Sequence, residues 1–208
     1  MARALETTLE TANENRRARI LNARGDNLAR AFEVTLEAAR GEGGLLPTWR
    51  RYDGVVWSQL SPGTLEARER RRLLVPSALY GLSAGDERIG EFRLKFTVSL
   101  EGVGPLARLW RRPLAQAIDS LGRRDVLNLL PEEHHRAIEW TEVRRPRVRR
   151  VRFLSADGES VVGHDAKAVK GALARYVLDE GLDALAHFSW RGWTMARIGD
   201  EDVAVAPT

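Results

Sequence analysis

No apolar run in the 208 residues extends beyond a few side chains before an arginine, a glutamate or a glycine interrupts it. A bilayer span needs about 20 consecutive apolar residues, so each apolar face of this chain must arise from periodicity and be buried against another such face. With 43% hydrophobic residues there is material for one globular core of ordinary size. The charged amino terminus lacks the apolar stretch of a signal peptide. Cysteine is absent, which removes disulfides, thiolate catalysis, zinc fingers and iron–sulfur clusters together. The expectation is a single α+β (mixed α/β) domain over 1–208, a mixed central sheet flanked by helices, in the cytoplasm and away from membranes. No cofactor and no metal are expected.

The periodicities place the elements. Leu5, Leu9 and Ala12, then Leu28, Ala31, Phe32, Leu36 and Ala39, recur at helical spacing through the first forty residues, with a break at Gly25-Asp26. Gly41 to Pro47 reads as a loop and Tyr52 to Trp57 as a short strand. A helix to about Arg72 follows Ser61-Pro62-Gly63-Thr64. Leu73 to Leu82 reads as one buried strand and Phe92 to Leu100 as extended, with Arg93 and Lys95 opposite Leu94 and Phe96. Pro105 to Leu121 is an amphipathic helix, Val126 to Leu130 a buried strand, and Pro131 opens a short helix through His135. Arg147 to Val162 suggests a hairpin about Asp157-Gly158. His164 to Leu178 is helical to a stop at Gly181, a short helix covers Leu182 to Phe188, and Trp190 to Arg197 forms the last strand.

Net charge is only +4, yet among 33 basic residues lysine stands only at Lys95, Lys167 and Lys170. A GC-rich genome accounts for much arginine, but retained lysines mark places where arginine does not substitute. Glu132-Glu133-His134-His135 is read as a solvated helix face, because adjacent histidines on a helix point about 100° apart and cannot clamp one ion. There is no Gly-x-Ser-x-Gly elbow and no glycine-rich phosphate fingerprint. Arg144, Arg145, Arg147, Arg149, Arg150 and Arg152 alternate with valine like an edge strand, where positive charge either blunts sheet-to-sheet pairing or follows a phosphate backbone. In His164-Asp165-Ala166-Lys167-Ala168-Val169-Lys170-Gly171, two of the three lysines, with Arg175 beyond, share one side of a helix's first turns, where either a surface face or an anion site fits.

Taken in order, Tyr52-Asp53-Gly54-Val55, Ser77-Ala78-Leu79-Tyr80-Gly81-Leu82 with Phe92-Arg93-Leu94, Leu109-Trp110, Asn128-Leu129 and the His164 to Gly171 segment, trailed by Phe188 and Gly192-Trp193, resemble the YaaA (DUF328/UPF0246) family. The resemblance covers about residues 45–196, and its motif residues here are Tyr52, Gly54, Tyr80, Gly81, Trp110, Asn128 and Gly171. It implies a cytoplasmic α/β protein linked to surviving hydrogen peroxide by limiting free iron. It also implies similarity to proteins that bind DNA in a positively charged cleft through a helix-hairpin-helix-like element, here the helix from His164 to Leu178, the Glu180-Gly181 turn and the helix after it. Family members open with a strand and a lysine-bearing loop, whereas this chain begins in helix and has no counterpart of that lysine. The expectation is a diverged member or a start assigned too late.

The functional expectation is a peroxide-stress protein that binds DNA or another polyanion through Arg93, His164, Lys167, Lys170 and Arg175, with Arg147 and Arg149 extending the basic surface. The alternative is an enzyme acting on a phosphorylated or carboxylated small molecule in the same cleft, using the paired lysines beside His164 and Asp165. No catalytic set is named for it.

Overall fold

The computed structural model describes residues 1–155, 158–159, 164–198 and 201–206. The first forty residues are helical as their periodicity requires, in three pieces: α1 (Ala2–Thr11), α2 (Glu14–Leu21) and α3 (Asp26–Arg40). Asn13 supplies the additional break, its side chain accepting the Arg16 N–H at 2.9 Å and so capping α2. Gly25, at φ +54, starts α3. Short elements follow: β1 (Leu46–Pro47), α4 (Thr48–Arg51), α5 (Val55–Leu60), α6 (Ala67–Arg70), β2 (Leu74–Ser77), β3 (Gly81–Ala84), β4 (Arg88–Ile89), β5 (Ser99–Leu100) and β6 (Gly104–Pro105). The remaining elements are α7 (Leu106–Asp119), β7 (Asp125–Asn128), α8 (Glu132–His135), β8 (Arg147–Leu154), α9 (His164–Glu180), a 3-10 segment Leu182–His187, β9 (Ser189–Trp190), β10 (Trp193–Ile198) and β11 (Glu201–Val205).

The fold is α+β, and the chain weaves between two compact units. One comprises Met1–Arg51, Arg70–Ser120 and Leu130–Arg144; the other comprises Tyr52–Glu69, Leu121–Leu129 and Arg145–Thr208. In the first unit, α1 and α2 pack on α3, and β2 and β3 form a hairpin rather than the single strand expected over Leu73 to Leu82. The Ser77 hydroxyl turns the chain by accepting the Tyr80 N–H at 3.0 Å, and Gly81, at φ +71, completes the reversal. Trp110 of α7 closes over this hairpin, its indole N–H donating to the Ala78 carbonyl at 2.9 Å. Phe92 to Leu100 is extended only at β5, because the Arg93 N–H is taken by the buried Thr35 hydroxyl at 2.9 Å instead of a strand partner. The alternation nonetheless holds: Phe96 is buried, while Arg93 and Lys95 are exposed.

The second unit is built on a five-stranded mixed sheet in the order β7-β8-β11-β10-β9. Strand β8 pairs in parallel with β7 over Arg147–Arg150 and with β11 over Val151–Leu154, so the arginine-rich strand is interior to the sheet, not the edge its charge suggests. The expected hairpin about Asp157-Gly158 falls largely outside the described residues. Strand β11 was not anticipated; its short run Asp202-Val203-Ala204-Val205 pairs antiparallel with β10. Helix α9 lies on the sheet through Ala166, Val169, Leu173 and Val177, one stripe at helical spacing that meets Val151, Phe153, Phe188 and Trp193. Val169, Leu173 and Leu185 are fully buried, each worth about 2 kcal/mol in transfer free energy.

The segment Tyr52 to Trp57 is not a strand. Gly54, at φ +85, lets the backbone enter α5, where the Ser58 N–H donates to the Gly54 carbonyl at 2.9 Å. Tertiary packing overrides the β-propensity of Val55 and Val56, because α5 lies against α9 at Gly171. A Cβ at Gly171 would come within 2.2 Å of the Val56 carbonyl oxygen, a separation no side chain tolerates.

Candidate functional site: the basic residues of α9 and β8

The stripe of α9 that faces the sheet leaves Lys167 exposed and Lys170 half-buried. The Lys170 ammonium sits 5.0 Å above the Phe153 ring, a cation–π contact made from β8. Burial holds the Lys170 pKa below that of a free lysine, and the charges of Arg150 and then Lys167 push it the same way. Two neighbouring cations thus act on Lys170 at the junction of α9 and β8. Phe153 and Arg150 are the members that the sequence reading left out of the site; β8's alternation, which sets Phe153 on the face of Val151, was the available signal.

The other basic candidates of this unit are held by carboxylates. Arg149 donates from Nε and one terminal nitrogen to both oxygens of Asp202, at 2.8 and 2.7 Å, and its remaining terminal nitrogen reaches the Leu182 carbonyl at 3.3 Å. The Arg149 hydrogen bonds hold the Asp202 carboxyl below the usual carboxylate range against the opposing effect of burial. Arg147 makes a two-point contact with Asp125 at 2.9 and 3.0 Å and lies 3.6 Å from Asp183. Arg175 donates to Asp179 at 2.8 Å and to the Thr64 hydroxyl at 2.5 Å. These contacts join β8 to β11, β7 to β8 and α9 to the segment after α5. The side chain of His164 lies outside the described residues.

Arg93 belongs to the first unit, whereas Lys167 and Lys170 belong to the second. The carboxylates near Arg93 in the sequence are engaged elsewhere: Glu91 meets Arg30 at 3.1 Å and Arg51 at 3.8 Å, and Glu87 accepts the Ala84 N–H at 3.1 Å. The Glu132 to His135 segment is not simply a solvated face. His134 stands edge-on to Phe96, with ring centroids 5.3 Å apart, and His135 stacks on Trp140 at 5.0 Å. The His134 Nδ1 is buried without a hydrogen-bond partner among the described residues, and burial lowers the imidazole pKa, with Glu133 opposing. Among the described residues, no three histidine, aspartate or glutamate side chains are grouped to hold a metal ion. None of the described helices is long and apolar enough to cross a membrane.

The residues carrying the resemblance do architectural work. Gly171 admits α5 against α9; Gly81 leaves room for Trp110, which a Cβ would meet at 2.7 Å. The Tyr80 hydroxyl accepts the Gly90 N–H at 3.0 Å, Tyr52 stacks on Trp57 at 5.5 Å, Gly54 opens α5, and Asn128 is buried at the end of β7. A family model described as peroxide stress protein YaaA matches residues 1–197. The chain belongs to the YaaA family. The match takes in the three amino-terminal helices, well beyond the region over which the ordered motifs were recognised. The UPF0246 protein SCO2297 of Streptomyces coelicolor is 34% identical over 143 residues, covering 66% of this chain and 55% of that protein. The UPF0246 protein TM1040_2658 of Ruegeria sp. is also 34% identical over 143 residues, covering 63% of this chain and 57% of the relative. In both YaaA-family alignments, the shared segment spans little more than half of the curated relative.

Proposed function

We propose that this YaaA-family chain acts in the cytoplasmic response to peroxide by binding a phosphate-bearing polyanion, DNA first among them, on the α9–β8 face of its second unit. The observation that carries the reading is the contrast among the cations. Lys167 and Lys170 have no carboxylate in ion-pair range among the described residues, and Lys170 is destabilised as a cation by burial, Arg150 and Lys167. A phosphate placed there relieves that repulsion, whereas at Arg147, Arg149 and Arg175 it would compete with a carboxylate already in place. The contact of the Lys170 ammonium with the Phe153 ring holds the amine in position, which reduces the ordering cost of binding. Arg93, in the first unit, has no carboxylate in ion-pair range among the described residues and is not included in this face.

The depressed pKa of Lys170 favours a second reading, an enzyme for a phosphorylated or carboxylated small molecule, because a lysine amine that deprotonates readily can exchange protons. The deciding experiment measures binding of the chain to a fluorescent DNA duplex as salt is raised, beside a thermal-shift screen of nucleotides and sugar phosphates. The polyanion reading expects affinity to fall linearly on log–log axes. It also expects binding to persist when Lys170→Arg is introduced. Stabilisation by a small phosphate, with no duplex binding at low salt, would replace it with the enzyme reading.

A further inference from the structure

Among the described residues, three non-glycine residues hold positive φ: Asn22 and Ser61 at +48° and +50°, and Arg191 at +48°. The first two end helices, where a left-handed residue closes the last turn, and both are small and polar. Arg191 ends no helix. It is the first central residue of the two-residue turn between β9 and β10, with Gly192 at φ +82 second and Trp190 paired to Trp193 across it. Positive φ at both positions is the type I′ arrangement, which favours asparagine followed by glycine; a long side chain at the first position is strained. The Arg191 guanidinium lies 4.6 Å from the Trp190 ring centroid, and it is exposed. Among the described residues it has no carboxylate in ion-pair range, unlike Arg147, Arg149 and Arg175.

A guanidinium stacked on an indole is fixed in orientation while its N–H edge stays open to solvent, a geometry suited to a two-point grip on a phosphate. A base cannot stack on an indole face that already carries the guanidinium, so the fitting ligand group is the backbone phosphodiester. The turn also belongs to the sheet that positions Lys170, since Trp193 is 6.4 Å from Phe153, the ring beneath that lysine. We infer that the Trp190–Arg191 turn is a further phosphate-contacting element, in which a strained arginine is kept for its grip on the polyanion backbone. This rests on the polyanion reading above.

The test compares wild type, Arg191→Asn and Arg191→Lys in duplex-DNA titrations across salt, with a melting curve for each. Arg191→Asn installs the favoured turn pair, so it should hold or raise the melting temperature, by up to about 2 °C. It should also lower the log–log salt slope by about 0.9, the loss of one phosphate contact. Arg191→Lys should keep the slope. Wild-type binding with a slope unchanged by Arg191→Asn overturns this inference alone, and a wild type without salt-dependent duplex binding overturns it together with the reading beneath it.

Discussion

Strand β8 and helix α9 carry the basic candidates of the second unit, yet the two use their charge in different ways. On β8 the interior position brings neighbouring strands within reach, and their aspartates tie down Arg147 and Arg149: Asp125 from β7 and Asp202 from β11. On α9 the Lys170 ammonium meets the Phe153 ring and the charge of Lys167. The difference teaches that arginine density in the sequence does not distinguish cations paired within the fold from cations with no carboxylate in range among the described residues. Under the reading proposed above, charge already answered within the fold is architecture, and charge left to repel its neighbours is what a ligand meets.

The largest effect should come from breaking the architectural side. Asp202→Ala leaves the half-buried Arg149 without its carboxylate and should cost about 3 kcal/mol, a fall of about 6–12 °C in melting temperature. Chemical denaturation of the variant checks this. Replacing Arg149 and Asp202 together with leucine should recover most of the loss, because no charge is then stranded. Because Arg149 lowers the folded-state pKa of Asp202, the stability this pair contributes is present above about pH 4 and is lost as pH falls through the folded value. A wild-type melting temperature insensitive to pH between about 4.5 and 2.5 would count against the pair's contribution.

Gly171→Ala comes next. Its methyl group must displace the α5 backbone at Val56, and overpacking of this kind costs about 1–3 kcal/mol. A variant as stable as wild type in urea would show that α5 gives way freely. A smaller effect is expected at His134 in the first unit, where burial favours the neutral ring. The unfolded chain takes up a proton near pH 6.5 more readily than the folded one, so stability should fall as pH drops below about 6.5. His134→Phe, which keeps an aromatic edge against Phe96, should flatten that part of the profile; an unaltered profile would place the titration elsewhere. The smallest change is expected on the ligand side. Lys170→Met removes a cation that burial and two like charges disfavour, so the melting temperature should hold or rise.

Much of the fold was legible because periodicity reports burial. The stripes of α3, α7 and α9 could be read directly from their apolar spacing, and each forms where expected. Tyr52 to Trp57 and Leu73 to Leu82 depart from expectation for a common reason: a glycine at positive φ, Gly54 or Gly81, turns the chain, and the partner that the following residues pack on, α9 for α5 and Trp110 for Gly81, is remote in sequence. The lysines could be singled out because the chain otherwise avoids lysine. The fate of the arginines was hidden, since Asp125 and Asp202 stand 22 and 53 residues away from Arg147 and Arg149, and no local pattern reports such pairings. The interior position of β8 was hidden with them, because its strand neighbours come from before and after it in the sequence.

The central claim is that the lysines of α9, and not the carboxylate-bound arginines of β8, meet the polyanion. The measurement that addresses it most directly is the salt dependence of duplex-DNA binding for wild type, for Arg147→Ala and for the double variant Lys167→Ala, Lys170→Met. Each phosphate contact contributes about 0.9 to the log–log slope. The double variant should therefore lose nearly two units while melting no lower than wild type, and Arg147→Ala should leave the slope as it is. A slope preserved in the lysine variant and reduced in Arg147→Ala would contradict the claim and return the binding surface to the arginine strand.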